Sequence, residues 1–460
     1  MNENIMSQLP IEFLDRIKSY LSADNYDLFL KSLYQDEKKG LVLDIDKLNN
    51  DNSIINEIVN NLNLELYYNN INYNYYFYDE TKINNNKSIG NQLYYHQGLY
   101  YVQEPSASLV IKNVEINDND KILDLCAAPG GKSIDCLLNN KNGFVISNDI
   151  DFKRAKIISS NIERLGISNC IVTNNQTSIF KQKFNSYFDK VILDAPCSGE
   201  GMMRKNETAR LQWNVGLIQK CSTIQKELID TAYECTKDNG LIIYSTCTFA
   251  KEEDEDIIDY ITNRHPNLEV LKMNKIYFQD NIGEGQFYAI LKKNGALDIQ
   301  TDTQYTSLPK HSKNTYIPTK ILNDFIKVFN ENIDYDITND KGIELLLSNN
   351  KIYAVPNNIP LKMIDGLNVL RIGVELAEIK NNTISLSHSI SHSKYAQYYK
   401  HKIELSETDS YRYLKGESFN IDSDIKSFAI AMHNNIALGL CKITNNMLKN
   451  HYPKGLRILN

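Results

Sequence analysis

Two short stretches of this chain carry side chains suited to covalent chemistry. Asp194 to Arg204 reads DAPCSGEGMMR, and Ser245 to Thr248 reads STCT. Each follows an apolar run, Val191 to Leu193 and Leu241 to Tyr244, with the composition of a buried strand. A strand ending in Asp-Ala-Pro-Cys leaves a carboxylate and a thiol at its carboxyl end, the edge at which open α/β sheets bind ligands. The Ser-Gly-Glu-Gly segment allows a tight backbone path close to a flat ligand. Two strand-end thiols, Cys197 and Cys247, and one strand-end carboxylate, Asp194, therefore point to covalent chemistry on a base. An ordinary thiol is mostly protonated at neutral pH, so a nucleophilic Cys247 needs positive potential nearby. The run Glu252 to Asp256, EEDED, reads as the opening of a helix whose amino terminus could supply it; acids there also complement the helix dipole.

A third stretch, Cys126-Ala127-Ala128-Pro129-Gly130-Gly131-Lys132-Ser133, joins a predicted strand to a predicted helix. Small residues at such a junction let the backbone approach a ligand closely. The spacing is neither GxxxxGK nor GxGxxG, so the loop suits an adenosyl group better than a phosphate clamp. Asp149 ends the next predicted strand, where an acid commonly accepts hydrogen bonds from ribose hydroxyls. Alone, such an acid is as readily a helix cap or turn residue.

The elements that would position these residues alternate. Strands are predicted at Lys121 to Asp124, Gly143 to Ser147, Cys170 to Thr173, Lys190 to Leu193, Leu241 to Tyr244 and Phe287 to Leu291. Helices are predicted between them, at Ile134 to Leu138, 152 to 165 and Ile224 to Cys235. That order implies an α/β fold with a doubly wound, mostly parallel sheet. Before it, Ile11, Phe13, Leu14, Ile17, Tyr20 and Leu21 have the spacing of an amphipathic helix, and Tyr26 to Leu33 suggests a second. Residues 49–93 are rich in Asn and Tyr, read either as aromatic platforms for stacked bases or as an ordinary helix and strand under compositional bias. After the sheet, residues 296–318 look like a polar linker. A helix near Lys320 to Phe329 and several strand-like pieces follow. The domain division expected is 1–110, 111–295, a linker at 296–318, and 319–460.

A chain of 460 residues is long enough for several domains, and 42% apolar content is enough for their cores. The net charge of −7 argues against a protein that coats nucleic acid non-specifically, though not against a local basic face. The eight cysteines show neither a CxxC pair nor zinc-like Cys/His spacing, and read as reduced thiols in a cytoplasmic protein. No apolar run reaches the roughly 18 to 20 residues of a membrane span. No metal is expected, and a monomer is the default.

Taken together, CAAPGGK, DAPCSGEGMMRK and YSTCTFAKEEDE resemble the RNA cytosine C5-methyltransferases of the Nop/Sun and Fmu type, and within them the RsmF-type rRNA enzymes. The likeness covers roughly Tyr100 to Lys292. The ending LKNHYPKGLR, with YRYLKGE at Tyr411 to Glu417 and LGLCK at Leu438 to Lys442, resembles the PUA-like carboxyl-terminal module of Gram-positive members. The resemblance implies a class I methyltransferase domain with a Rossmann-like, seven-stranded sheet, an α+β amino-terminal extension and a mainly β carboxyl-terminal module. It implies S-adenosylmethionine as cofactor, held by Cys126 to Lys132, Asp149 and Asp194. Cys247 would be the nucleophile on carbon 6 of a cytosine. Asp194 would hydrogen-bond the pyrimidine edge, and Cys197 would assist loss of the carbon 5 proton and product release. The cofactor's sulfonium would add to the positive potential at Cys247. Where family members carry an acid near the adenine, this chain reads Thr173-Asn174-Asn175-Gln176-Thr177, and no residue is assigned.

The partner implied is RNA, 16S ribosomal RNA before transfer RNA. A reactive cytosine must be single-stranded or flipped out. Arg204 and Lys205 are candidates for gripping flanking phosphates, against the reading of a solvated loop. Lys449, His451, Lys454 and Arg457 are candidates for RNA docking, against a basic terminus packed on a small barrel. His388 and His392 read as turn or surface residues. A non-catalytic RNA-binding assembly factor would be expected to have lost Asp194, Cys197 or Cys247, and a small-molecule methyltransferase would not need such long flanking segments.

Overall fold

The alternating strands and helices assemble into one central sheet in the computed structural model, which describes residues 5–70, 72–83, 87–295, 317–381 and 383–458. Its strands, in chain order, are β1 (Lys121–Asp124), β2 (Phe144–Asn148), β3 (Cys170–Thr173), β4 (Phe188–Asp194), β5 (Thr236–Thr246), β6 (Leu268–Ile276), β7 (Gln286–Lys293) and β8 (Val369–Ile372). They lie side by side as β6-β7-β5-β4-β1-β2-β3-β8. The strands β1 to β5 run parallel, and β7 runs antiparallel to both β5 and β6. This is the Rossmann-like, seven-stranded arrangement of class I methyltransferases. An eighth strand is added at the β3 edge: β8 comes from the carboxyl-terminal region and pairs antiparallel with β3. The carboxyl ends of β1, β2, β4 and β5 therefore meet at one edge, with the order reversing between β1 and β4, the place where such sheets hold ligands.

The parallel strands are buried on both faces, which explains their unbroken apolar runs. Ile122, Leu123, Val191 to Leu193 and Ile242 to Tyr244 are all fully buried. The long helix between β4 and β5 spans Val215–Cys235, more than the predicted Ile224 to Cys235, and Asn214 caps its amino terminus by accepting from the Leu217 N–H at 2.9 Å.

The tyrosine-rich segment is an ordinary core strand. Tyr73–Tyr78 pairs with Lys39–Asp44, and Tyr73, Tyr75, Tyr76 and Tyr78 are buried. The helices Ile11–Tyr20 and Ala23–Ser32 turn their apolar faces to the central domain. Phe13, Ile17 and Phe29 share a cluster with Met203, Trp213, Phe249 and Phe278. They are a wall behind the two thiol-bearing loops. The linker expected over 296–318 lies outside the described residues except for its last two positions.

Beyond it, a helix at Thr319–Asn332 precedes two sheets, an antiparallel four-stranded one over Ile343–Leu386 and a mixed five-stranded one over Lys402–Asn450, in which Lys402–Glu404 runs parallel to Phe428–His433. Three of their hairpins turn on Asn-Asn pairs with positive φ, at Asn349–Asn350, Asn434–Asn435 and Asn445–Asn446. Two-residue hairpin loops need that left-handed backbone, and Asn tolerates it better than other side-chain-bearing residues. Among the described residues, no helix is long and apolar enough to cross a membrane.

His388 and His392 are not surface residues. Both are buried where the carboxyl-terminal region meets the rest of the chain, with rings 5.2 Å apart and His388 edge-on to Tyr452. Tyr452 is also 3.0 Å from His96 Nδ1, and the buried Arg164 donates to the carbonyls of Tyr95 and Tyr100. Burial pushes His96 and His388 down to about 4, and His392 well below its ordinary value. The unfolded chain takes up the His388 proton as pH falls through about 6.5, the folded chain only near pH 4. Its contribution is therefore complete above pH 6.5 and is lost as the pH falls through that window. Asp124, Asp135 and Glu253, raised by burial to about 7, act in the opposite sense over much of the same range. A comparative measurement isolates the histidine: in urea denaturation, the stability of His388→Leu relative to the parent protein should rise as pH is lowered from about 7 to about 5. A difference that stays flat with pH would contradict the assignment.

Candidate active site

The β4–β5 ladder sets the site. Asp194 stands opposite Ser245 in that parallel pair, and the pairing continues one step further, with the Ala195 N–H donating to the Ser245 carbonyl at 2.8 Å. Past the strand ends the two chains carry Cys197 and Cys247, whose sulfurs lie 3.2 Å apart. Both residues are partly exposed, although the Cys197 sulfur itself is buried. Asp194 is fixed on both oxygens: Ser245 Oγ donates to Oδ1 at 2.7 Å, and Lys132 Nζ lies 2.8 Å from Oδ2.

The loops around the thiols are pinned by short contacts. The Gly201 N–H donates to the Cys247 carbonyl at 2.9 Å, and the Gly285 N–H to the Gly201 carbonyl at 3.0 Å. A Cβ on Gly201 would lie 2.4 Å from the Gly285 carbonyl oxygen, so the close approach excludes a side chain there. Ser198 and Thr248 share a hydroxyl hydrogen bond of 2.8 Å. Two buried carboxyls that the sequence pattern does not reveal complete the frame. Glu200 accepts from Trp213 Nε1 at 3.0 Å and from the Phe249 N–H at 3.1 Å. Glu253 accepts from the Ser198 N–H at 3.0 Å and from Gln225 Nε2 at 2.9 Å, and burial raises it to about 7. The contact with Cys247, then burial and the negative potential of Cys247 and Glu253, push the Cys197 thiol well above its ordinary value.

The acidic run differs from its expected role. Glu253 and Asp254 are buried, Asp254 paired with Lys275 at 2.9 Å, and Glu252 pairs with Arg16 of the amino-terminal helix at 2.6 Å. Four acids, Glu252 to Glu255, crowd the start of the helix Glu255–Arg264, so that end brings negative charge beside its dipole. The cation near Cys247 is Lys132, which interacts electrostatically with it.

A cleft of about 940 Å³ opens beside the thiols. Its walls include Cys126 to Pro129 and Lys132, Asp149 with Ile150, Gln176, and Asp194 with both thiols. The loop Cys126 to Lys132 is fixed by main-chain bonds: the Ala127 N–H donates to the Asn148 carbonyl at the end of β2 at 2.7 Å, and the Gly130 N–H to the Ala127 carbonyl at 2.7 Å. Gly130 has φ +113°, and Gly131 starts the helix that aims Lys132 at Asp194. Arg154 Nη2 donates to the Ala128 carbonyl at 2.8 Å. Asp149 accepts from the Asp151 N–H on Oδ1, while its buried Oδ2 has no hydrogen-bond partner. Asn174 donates to the Asp149 and Ile150 carbonyls at 2.9 and 2.8 Å, and Asn175 Oδ1 accepts from the Asn368 N–H at 3.1 Å. Gln176 alone of that polar run is exposed at the cleft wall. Glu104, which caps the helix Pro105–Lys112, also accepts from the Glu284 N–H at 2.7 Å and closes the far wall.

The candidate phosphate-binding residues separate. Arg204 is a correction: it is buried, paired with the buried Glu284 at 2.9 Å and donating to the Gly283 carbonyl at 3.2 Å, with its guanidinium over the Phe278 ring. A guanidinium so enclosed has no face to offer a phosphate. Lys205 is exposed, 3.7 Å from Glu37. Lys449 and Lys454 are exposed on the five-stranded sheet and the turn after it, far along the chain from the thiols. Arg457 packs against Gly416, where a Cβ would meet its guanidinium carbon at 2.4 Å.

Residues 111–315 match the family model described as 16S rRNA methyltransferase RsmB/F, and residues 400–458 match the one described as methyltransferase RsmF PUA domain. The ribosomal RNA small subunit methyltransferase F of Shewanella piezotolerans is 27% identical over 405 residues, with 82% of each chain covered. The protein of the same name in Psychromonas ingrahamii is 28% identical over 398 residues, covering 80% of this chain and 81% of that one. Among solved structures, NSun6 from Pyrococcus horikoshii, crystallised with SFG, superposes with a TM-score of 0.54 at 17% identity, over 62% of this chain and 98% of that chain. At that identity the likeness speaks for the fold. The sheet order, the cleft at its switch point and these matches lead to one conclusion: residues 111–315 form a methyltransferase domain of the RsmB/F type, residues 400–458 a PUA domain of the RsmF type, and the protein is an S-adenosylmethionine-dependent RNA methyltransferase.

Proposed function

We propose that this protein methylates carbon 5 of a cytosine in small-subunit ribosomal RNA through a covalent bond between Cys247 and carbon 6. The observation that carries this reading is the pair of thiols 3.2 Å apart at the end of a strand whose Asp194 is held by Lys132. One thiol would serve as nucleophile and the other as base, and a planar pyrimidine beside them would meet both. The ribosomal substrate follows from the names of the relatives, ribosomal RNA small subunit methyltransferase F, and from the PUA match.

The residues present fit the cofactor. Asp149 Oδ2, 3.5 Å from Arg154 Nη2, is a buried acceptor with no hydrogen bond in the cleft wall, free to take one from a ribose hydroxyl. The Cys126 to Lys132 loop, Asp149 and Asp194 would hold S-adenosylmethionine, which supplies an electrophilic methyl group on a cationic sulfur. The Cys247 thiolate, next to the Lys132 ammonium, adds to carbon 6 and makes carbon 5 nucleophilic. Asp194, oriented by Lys132 and Ser245, hydrogen-bonds the pyrimidine edge and favours a proton on nitrogen 3. Cys197, whose own thiol proton must first pass to solvent in the cleft, accepts the carbon 5 proton as a thiolate after the methyl group has arrived. A thiolate in so unfavourable a place is a strong base, and the elimination that follows frees Cys247.

Bisulfite mapping of ribosomal and transfer RNA with and without the gene tests the reading: one or more 16S cytosines should lose protection, and loss confined to transfer RNA would overturn the substrate. Cys247→Ala should lower methyl transfer by on the order of a thousandfold. Cys197→Ala should instead accumulate a protein–RNA adduct, visible as a slow band in denaturing gels and absent when Cys247→Ala is added. Asp149→Ala should weaken cofactor binding by roughly ten- to a hundredfold in calorimetry, the worth of a hydrogen bond to a charged group.

The two basic neighbours should part company. Lys205→Ala should reduce RNA affinity and lower the salt slope by about one, with stability unchanged. Arg204→Ala should cost about 3 to 5 kcal/mol of stability in urea, because Glu284 would be left buried and unpaired. Equal effects of the two substitutions on RNA binding, with no loss of stability from Arg204→Ala, would contradict the burial argument.

A further inference from the structure

We propose that Cys197 and Cys247 form a reversible disulfide when the protein meets hydrogen peroxide or a related hydroperoxide, and that this bond switches the enzyme off. The inference rests on the placement of the two thiols and not on the roles assigned to them. Their sulfurs lie 3.2 Å apart. A disulfide closes that gap to about 2.05 Å, so each sulfur has only to move by roughly half an ångström if side-chain torsions permit. The loops that carry them are tied to each other, by Gly201 to Cys247 at 2.9 Å and by Ser198 to Thr248 at 2.8 Å, so the thiols cannot drift apart. Both residues are partly exposed at the cleft, where a small oxidant can enter.

The other cysteines are placed differently. Cys136, Cys170, Cys221, Cys235 and Cys441 are buried. Cys126, although partly exposed, has no thiol contact among the described residues, and burial of its sulfur holds its proton on. Cys221 is the one competitor close enough to interact electrostatically with Cys247.

The step balances. The Cys247 thiolate attacks one peroxide oxygen, the O–O bond breaks, hydroxide leaves, and the sulfur becomes a sulfenic acid. Cys197 sulfur then attacks the Cys247 sulfur; the S–O bond breaks, and the oxygen leaves as water with the proton of Cys197. Two thiols are oxidised by two electrons in all, and one peroxide is reduced to two waters. Cys197 thereby acts as a resolving thiol, which keeps Cys247 from the irreversible sulfinic state. A dithiol reductant reverses the bond by exchange.

The test uses the full-length protein without RNA. After treatment with a few equivalents of hydrogen peroxide, the denatured thiol count should fall by two from eight, and peptide mass spectrometry should find Cys197 joined to Cys247. Methyl transfer should fall by roughly tenfold or more and return with dithiothreitol. In Cys197→Ser, the same treatment should drive Cys247 to sulfinic acid, unrecovered by dithiothreitol. A Cys221→Ser protein should form the bond as the parent does. A link from Cys247 to Cys221, or oxidation of Cys247 to sulfinic acid in the parent protein, would overturn the proposal. The thiol count and the peptide map do not depend on which RNA is methylated, so a failed substrate assignment leaves this result readable.

Discussion

Asp194 lies opposite Ser245 in a parallel pair of strands, and the chemistry of the molecule depends on that register. The side-chain period of a strand is two, so a slip of one residue would turn Asp194 away from the cleft and separate the thiols. What holds the register is apolar: Val191 to Leu193 and Ile242 to Tyr244 are fully buried on both faces of the sheet. No polar group in those runs could tolerate the exchange. The thiols then need only a few residues of loop to face each other, and the loops are short enough to be fixed by single hydrogen bonds. The main-chain contact from Gly285 to Gly201 is possible because neither residue has a side chain to keep the two backbones apart.

The acids beneath the thiols show what this rigidity costs. A buried carboxyl without partners loses several kcal/mol of hydration. Glu200 and Glu253 recover part of it through hydrogen bonds to Trp213, Phe249, Ser198 and Gln225, and each of those bonds ties one loop to another. The carboxyls are joints between segments distant in sequence. The amino-terminal helices close the same structure from outside, with Phe29 stacked on Phe278 at 5.2 Å and edge-on to Phe249 at 6.0 Å. The extension is thus part of the wall of the site, whatever else it contacts.

The pattern of strands and helices in the central domain was legible because two-sided burial leaves long apolar runs between polar turns. Asp194, Cys197, Cys247 and the Cys126 to Lys132 loop could be picked out because each follows such a run directly. Arg204 could not be read correctly: its partner Glu284 is eighty positions away, and an arginine in a polar loop looks the same in sequence whether it meets a phosphate or a buried acid. The run Glu252 to Asp256 misled for a related reason. Composition marks a helix start, but only packing decides that Glu253 and Asp254 turn inward. His388 and His392 were lost in the same way, since burial between regions far apart in the chain has no local period. The abundant asparagines, by contrast, had a local meaning that composition alone concealed, in the Asn-Asn pairs of the hairpins.

The carboxyl-terminal region reaches the cleft through other asparagines. Beside Asp149, the Asn174 N–H donates to the Asn368 carbonyl at 3.0 Å, and the Asn368 N–H donates to Asn175 Oδ1 at 3.1 Å. Directly after Asn368, β8 runs along β3, and Arg371 pairs with Glu163 at 2.6 Å on the helix that follows β2. The Asn174-Asn175 turn is therefore committed to holding the next module, with Gln176 and Thr177 left at the cleft wall. Asn174 and Asn175 have carbonyl and amide groups at the same time, so they can bind backbone of both regions at once; an aspartate there would offer acceptors only, and would repel the Asp149 and Ile150 carbonyls that Asn174 now donates to. Asn174 and Asn175 thus make a two-sided joint between the central sheet and the segment that carries Asn368.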